Sequence, residues 1–236
     1  AEGVAAMEAA GWLRRRAAGW FWTKRERAGD LADLRSSGGS PVQIVDGVTG
    51  RLVGTVDAGS ADGHVHDGAV YVHQGEIFVV DEYDVDHGVA LVHRDDPSYS
   101  TQARSVTEVQ IVETLRSEKW GPATLCFGSV EVHSQVVSYL KRSSQTHGVI
   151  GEELLDLPER TLPTQAVWWT VEASAVAAVL DDTDVPGAAH AAEHASIGLL
   201  PLLATCDRWD IGGLSTALHP DTGLLTVFVH DGHPGG

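Results

Sequence analysis

His190 and His194 stand four residues apart with Glu193 between them, in "HAAEHASIGLLPLLATCDRWDIGG" (190–213). On a helix the two imidazoles share one face. His-x-x-Glu-His is also the spelling of an inverted zinc peptidase, with two metal ligands and a base. Such a hydrolase needs a third ligand, usually an acid from another helix, and the apolar stretch that follows makes a poor open mouth. Ala-rich helices also carry spaced histidines that only pack or hydrogen-bond, so spacing leaves both readings open.

A second cluster has a different chemistry. Arg14, Arg15, Arg16, Lys24, Arg25 and Arg27 flank Trp12, Trp20, Phe21 and Trp22. Cations of this kind neutralise phosphates, and aromatic faces stack on unpaired bases, so the group is a candidate surface for single-stranded nucleic acid. The competing reading is a hairpin whose tryptophans bury one face while its arginines are merely solvated.

The remaining polar groups carry weaker signals. His64 and His66 fall in "ADGHVHDG", which reads as a polar loop with solvated histidines. "VHQGEIF" brings His73 and Glu76 together across a Gln74-Gly75 turn, the form of an ordinary hairpin. Asp207 and Asp210 flank Arg208 just before Gly212 and Gly213, which reads as a structural lock at a helix exit. Cys126 and Cys206 sit in a strand pattern and after an apolar helix, as core thiols do. No G-x-x-x-x-G-K-[ST] loop, no G-x-G-x-x-G after a strand and no G-x-S-x-G elbow occurs, so no nucleotide-hydrolysing or serine-hydrolase machinery is visible.

The elements that must position these groups are mainly strands. Residues 1–35 read as the end of a helix, "VAAMEAA", stopped at Gly11, then two short strands around a tight turn, then a short helix, "ERAGDLADLR". "SSGGSP" (36–41) is a linker. From Pro41 to His93, "VQIVD", "RLVGTVD", "AVYVH", "IFVVDEY" and "VALVH" predict a β-meander. Further strands are predicted in "TEVQIVETL", "ATLCFGSVEV" and "VVSYLK", and in "TQAVWWTV" after Pro163. Past residue 172, "EASAVAAVL" and "GAAHAAEHASIGLLPLLATC" predict helices, the second opened by Asp184 and Pro186 and ended at Pro201. "LSTALH", "PDTG" and "LLTVFVH" predict a closing hairpin. The fold class is α+β and strand-dominated, a small barrel or curled antiparallel sheet with an Ala/Leu-rich helical part.

Composition bounds the rest. A chain of 236 residues with 43% hydrophobic and 21% charged residues folds into one large or two small domains. The net charge of −17 excludes a protein that coats nucleic acid with its whole surface. Seven of the 16 Lys and Arg nevertheless lie in the first 35 residues against five acids, leaving the remainder strongly acidic. No apolar run is long enough to span a membrane, no secretory leader is recognisable, and two cysteines are expected to stay reduced in the cytoplasm. Abundant Arg, Ala, Gly, Val and Asp point to a high-GC bacterial genome. The chain begins without Met and stops at "HDGHPGG", as a segment of something longer would.

Four phrases occur in order: "GAVYVHQGEIFVVDEYD", "ALVHRDDPSYSTQAR", "LLDLPERTLPTQAVWW" and "HAAEHASIGLLPLLATCDRWDIGG". From about Gly11 onward they resemble the C-terminal accessory region of bacterial MrfA/SftH-type superfamily 2 DNA helicases. The resemblance implies a parent enzyme that unwinds DNA 3′-to-5′ with ATP and magnesium in DNA repair. Its two motor domains would lie upstream and bear the ATP site. A winged helix and a zinc-binding accessory domain follow the motor in that family, so residues 1–35 would end the winged helix and 41–236 make up most of the accessory domain. The family's zinc is held by a cysteine cluster near its C-terminus. That cluster does not appear here, so no metal, ATP site or catalytic residue is expected in this chain. The implied partners are single-stranded or forked DNA, and the motor domains. Arg14, Arg15, Arg16, Trp20, Trp22, Lys24 and Arg25 would face DNA. The resemblance makes His73, Gln74, Gly75, Glu76, Tyr99, Thr101, His190, His194, Asp207 and Asp210 structural signatures. The two histidines would pack toward the core or bond neighbouring strands, and the two aspartates would fix the helix exit.

Overall fold

In the computed structural model, residues 2–16, 19–23 and 40–233 are described, and the chain divides into two units, Ala1–Ser36 and Ser37–Gly236. The first unit holds helix α1 (Glu2–Ala9) and a ribbon of β1 (Leu13–Arg16) with β2 (Gly19–Trp22). Gly11, at φ +70°, supplies the left-handed residue that ends the helix. The expected short helix at 26–35 lies outside the described residues.

The second unit is built on two curled sheets. Strands β3 (Val42–Asp46), β4 (Leu52–Val56), β5 (Val70–His73), β6 (Glu76–Asp84) and β7 (Val89–Arg94) are the five anticipated ones. They do not form a meander. Their order is β4-β3-β7-β6-β5, and β3 runs parallel to β7 from Gln43 beside Val89 to Asp46 beside Val92. The reason lies in the stretch read as a polar loop. Asp57 accepts the Gly59 N–H and caps helix α2 (Ala58–His64), which separates β4 from β5, and β5 pairs with β6 at the far edge of the sheet. His66 is corrected with it. It is buried against the Tyr139 ring, 4.5 Å between centroids, and burial holds its pKa below the ordinary imidazole value. His64, at the end of α2, is exposed.

The second sheet hangs on one long hairpin. The three alternating stretches expected as separate strands fuse into β8 (Tyr99–Trp120) and β9 (Ala123–Ser143), reversing at Gly121 with φ +57°. Register shifts at Arg104/Ser105, Ile111/Glu113 and Thr114/Arg116 bend the ribbon. At Gly128 a Cβ would lie only 1.9 Å from the Glu113 carbonyl oxygen, so the close approach needs glycine. The free edge of β9 pairs over Ala123–Ser134 with β11 (Arg160–Val171) and over Ser138–Arg142 with β10 (Val149–Leu154). Strand β10 was not foreseen, because Val149, Ile150 and Leu154 are exposed and give no inward alternation. Pro163 lies inside β11, where the neighbouring strand β13 (Leu225–Asp231) begins only at Ala166. Its missing N–H therefore falls where β11 is still an edge.

Helix α3 (Ala173–Ala177) is short, and α4 (Val185–Leu199) has Pro186 in its first turn. Asp184 occupies the cap position without a side-chain bond, and Pro201 lies in a 3₁₀ turn, Leu200–Leu202. Val185, Ala189, Glu193 and Ile197 form the buried stripe of α4. A Cβ at Gly213 would lie 2.8 Å from Ile197 Cδ1 and 2.9 Å from Glu193 Cγ, so this glycine lets the helix lie close to β12 (Ile211–Thr216). The predicted closing hairpin is the antiparallel pair β12–β13.

Two cores result, one around Ile44, Phe78, Val80 and Val92, the other around Val130, Val132, Trp168 and Phe228. Across the seam between the sheets, Arg160 of β11 donates from Nε and Nη2 to the buried Asp62 carboxylate of α2 at 2.7 and 2.8 Å. Tyr83 of β6 donates its hydroxyl to the same carboxylate at 3.1 Å. Burial, and then the Asp62 charge, push the Tyr83 phenol up to about 12. Arg160→Ala leaves Asp62 buried without its cation. We expect a loss of about 3 kcal/mol in urea unfolding, the low end for a broken buried pair because the guanidinium is partly solvated. Because the Tyr83 phenol is raised above its ordinary 10, its contribution is complete below pH 10 and is lost as pH rises through about 12. Tyr83→Phe should flatten unfolding stability across that window, and an unchanged slope would contradict the assignment.

Candidate nucleic-acid interface

The ribbon of the first unit is short and anchored at one end. Trp12 N–H donates to Met7 O at 2.8 Å, and Thr23 Oγ1 donates to Gly11 O at 2.7 Å, tying helix α1 to both strands. Leu13 pairs with Trp22, Arg14 with Phe21, Arg15 with Trp20 and Arg16 with Gly19. Directly opposed residues share a face and alternate residues change face. One face therefore carries Arg15, Trp20, Leu13 and Trp22, and the other carries Arg14, Arg16 and Phe21. The Arg15 guanidinium stands over the Trp20 ring at 5.6 Å, and that of Arg16 over the Phe21 ring at 5.5 Å.

The faces differ toward their base. Trp22 is half-buried and packs on Trp12, 5.6 Å between ring centroids, so its ring is partly used in holding the ribbon. Trp20 and Phe21 are 40% and 45% exposed. The structure thus sets Arg15 with Trp20 on one face and Arg14 and Arg16 with Phe21 on the other, and gives Trp22 a packing role. The alternation in "WFW" was the signal for the two faces. Lys24 and Arg25 lie outside the described residues.

The signature residues of the second unit knit strands within it. Gln74 and Gly75, at φ +50° and +83°, make the two-residue turn of β5–β6, with His73 paired to Glu76. The His73 ring fills the space beside Gly54, where a Cβ would lie 2.8 Å away, and Glu76 accepts from Arg94 Nη2 at 2.6 Å. Thr101 Oγ1 accepts the Val70 N–H at 2.9 Å, joining β5 of one sheet to β8 of the other. The Tyr99 ring lies under the Lys141 ammonium at 5.1 Å. Asp210 Oδ2 accepts the Asp207 N–H at 3.0 Å, and its Oδ1 stands 3.2 Å from His233 Nε2.

His190 and His194 depart from expectation. Both are exposed, and neither has a described bond to a neighbouring strand. Instead Nδ1 of His190 lies 3.3 Å from Glu193 Oε2, and the two Nε2 atoms are 3.1 Å apart. The inward member is Glu193, 7% exposed, which accepts from Ser215 Oγ at 2.6 Å. The buried stripe passes through Glu193, four residues from Ala189 and from Ile197, and leaves both histidines on its outer flank.

Residues 192–236 match the family model described as "MrfA Zn-binding domain". The chain is 28% identical to "Uncharacterized ATP-dependent helicase YprA" of Bacillus subtilis (strain 168), across 95% of this chain and 30% of that protein. It is 29% identical to "ATP-dependent helicase hrq1" of Schizosaccharomyces pombe, across 62% of this chain and 14% of the relative. Among solved structures it resembles the helicase MrfA bound to DNA, with a TM-score of 0.70, 26% identity, and coverage of 100% of this chain and 32% of that one. The chain spans about a third or less of the length of these relatives.

The zinc in that family description can be tested against this chain's donors. Structural zinc takes four N or S ligands. Among the described residues no group of three or more His, Cys, Asp and Glu could hold a metal ion. Cys126 and Cys206 are free thiols, the first 3.6 Å from Ser117 Oγ and the second 3.4 Å from Ala204 O. The described donors do not make a closed structural zinc site. No helix of the described residues is long and apolar enough to cross a membrane.

The seam bonds and the exposed pairs should separate in unfolding experiments. Thr101→Val leaves the Val70 N–H without its partner and should cost about 1–2 kcal/mol by urea denaturation. Glu76→Gln, in an exposed pair, should cost less than about 1 kcal/mol.

Proposed function

We propose that this chain, which corresponds to the C-terminal accessory region of MrfA-type helicases, engages single-stranded DNA and guides it beside the motor domains of a DNA-repair helicase. The observation that carries the reading is the ribbon of the first unit. Each of its faces presents an arginine over an aromatic ring, and Trp20 and Phe21 remain accessible. Stacking on such rings is tolerant of base sequence, and the guanidinium groups meet the backbone phosphates. The similarity to a helicase solved with DNA supports a nucleic-acid partner of this kind. Helix, glycine, then ribbon is also the order in which a winged helix ends, and we read residues 1–35 in that way.

A local surface suits a chain of net charge −17, whose acidic remainder repels DNA at long range. In the second unit several described cations already hold carboxylates, as in Arg94–Glu76, Arg104–Glu152, Lys119–Glu172 and Lys141–Glu153. A module that only docks the motor domains is the rival reading, and it predicts no DNA affinity at the ribbon.

Fluorescence anisotropy with labelled oligothymidine at low ionic strength tests the proposal. Arg14→Glu, Arg15→Glu and Arg16→Glu together should weaken binding and lower the salt slope by about 2, since each phosphate contact on a single strand contributes roughly 0.7. Trp20→Ala should cost about 1–3 kcal/mol of binding free energy with little change in slope. Binding and slope unaltered by the charge reversal would refute the role of the ribbon.

A further inference from the structure

Helix α4 holds an arrangement that DNA binding does not use. The Glu193 carboxylate is turned into the protein, against Ser215 of β12, and so is not placed as a base over an exposed metal-bound water. It does something else. As acceptor for Nδ1–H of His190 at 3.3 Å, it fixes that ring's tautomer and leaves the lone pair on Nε2. His194, one turn further, brings its own Nε2 to within 3.1 Å of the His190 Nε2, with the ring planes crossing at 79°.

Two imidazole nitrogens that bind one zinc ion at about 2.0–2.1 Å and near the tetrahedral angle lie about 3.3 Å apart. The observed separation matches that spacing, both rings face solvent, and the inner nitrogen of His190 is held by a buried carboxylate. A carboxylate behind a ligating histidine is the common outer support of biological zinc sites. We propose that His190 and His194 form a two-histidine chelate for a divalent transition ion, zinc first, with Glu193 and Ser215 as its positioning groups. Imidazole pairs also accept copper and nickel, while magnesium and calcium prefer oxygen donors. The remaining coordination positions open to solvent, so the ion is held at the surface by two protein ligands. This chelate is distinct from a closed structural site and from the hydrolase suggested by the His-x-x-Glu-His spelling.

A direct N–H···N bond between the rings gives the same distance, and zinc titration separates the two. With zinc chloride added to the whole chain, ¹⁵N histidine side-chain spectra should show the Nε2 resonances of His190 and His194 moving together and saturating at one ion per chain. His194→Ala, at an exposed position, should abolish the shift of His190. Glu193→Gln should lower zinc affinity about 10-fold or more, the effect of losing an outer-sphere partner. If that buried substitution unfolds the chain, Ser215→Ala should lower the affinity in the same direction. Histidine resonances unmoved at millimolar zinc, or His190 still shifting in His194→Ala, would overturn the proposal. Unchanged affinity in a folded Glu193→Gln or Ser215→Ala chain would overturn the positioning role.

Discussion

The second unit depends on one carboxylate, Asp62. It sits on a short helix against the first sheet, receives a two-pronged bond from Arg160 on the second, and takes the Tyr83 hydroxyl as a third donor. A buried carboxylate without a cation is costly, so this group admits only arrangements that bring β11 beside α2. Val70 to Thr101, and Tyr139 beneath Gly68, where a Cβ would lie 2.3 Å from the phenol oxygen, repeat that constraint further along the seam. The long hairpin β8–β9 is the spine of the second sheet, with the outer edge of β9 paired to β11 at one end and to β10 at the other.

The first unit is held by a different economy of contacts. Its ribbon is only four residues a side and is closed at the base by Thr23 and by Trp12 against Trp22. Toward its turn it has aromatic rings and arginines with modest packing. That division of labour, anchoring rings near the helix and accessible rings beyond, is what a stacking surface requires. It also gives the proposed DNA contact a local place on a strongly acidic chain.

Local features were legible in the sequence. Gly11, Pro186, the Gln74-Gly75 turn and the closing hairpin each rest on residues adjacent in the chain, and each lies where residue type put it. Long-range choices were hidden. The parallel pairing of β3 with β7 follows from a helix capped by Asp57, inside a stretch whose glycines and histidines look like loop. His66 is buried by Tyr139, more than seventy residues away in the chain. Glu193 was legible as part of a metal-like spelling, but its inward direction depends on Gly213 and Ser215 in a later strand. The ribbon was the easier part of the candidate site, since alternation alone assigns its two faces. The resemblance of four ordered phrases did what spacing could not, by pointing to a helicase region of the kind the comparisons support.

Hydrogen–deuterium exchange with and without single-stranded oligothymidine tests the central claim most directly, because it reports where along the chain the ligand acts. The account predicts slowed exchange over residues 12–23, with the strands that carry the Asp62–Arg160 seam unchanged. Protection confined to residues 40–233, with none in the ribbon, would contradict it.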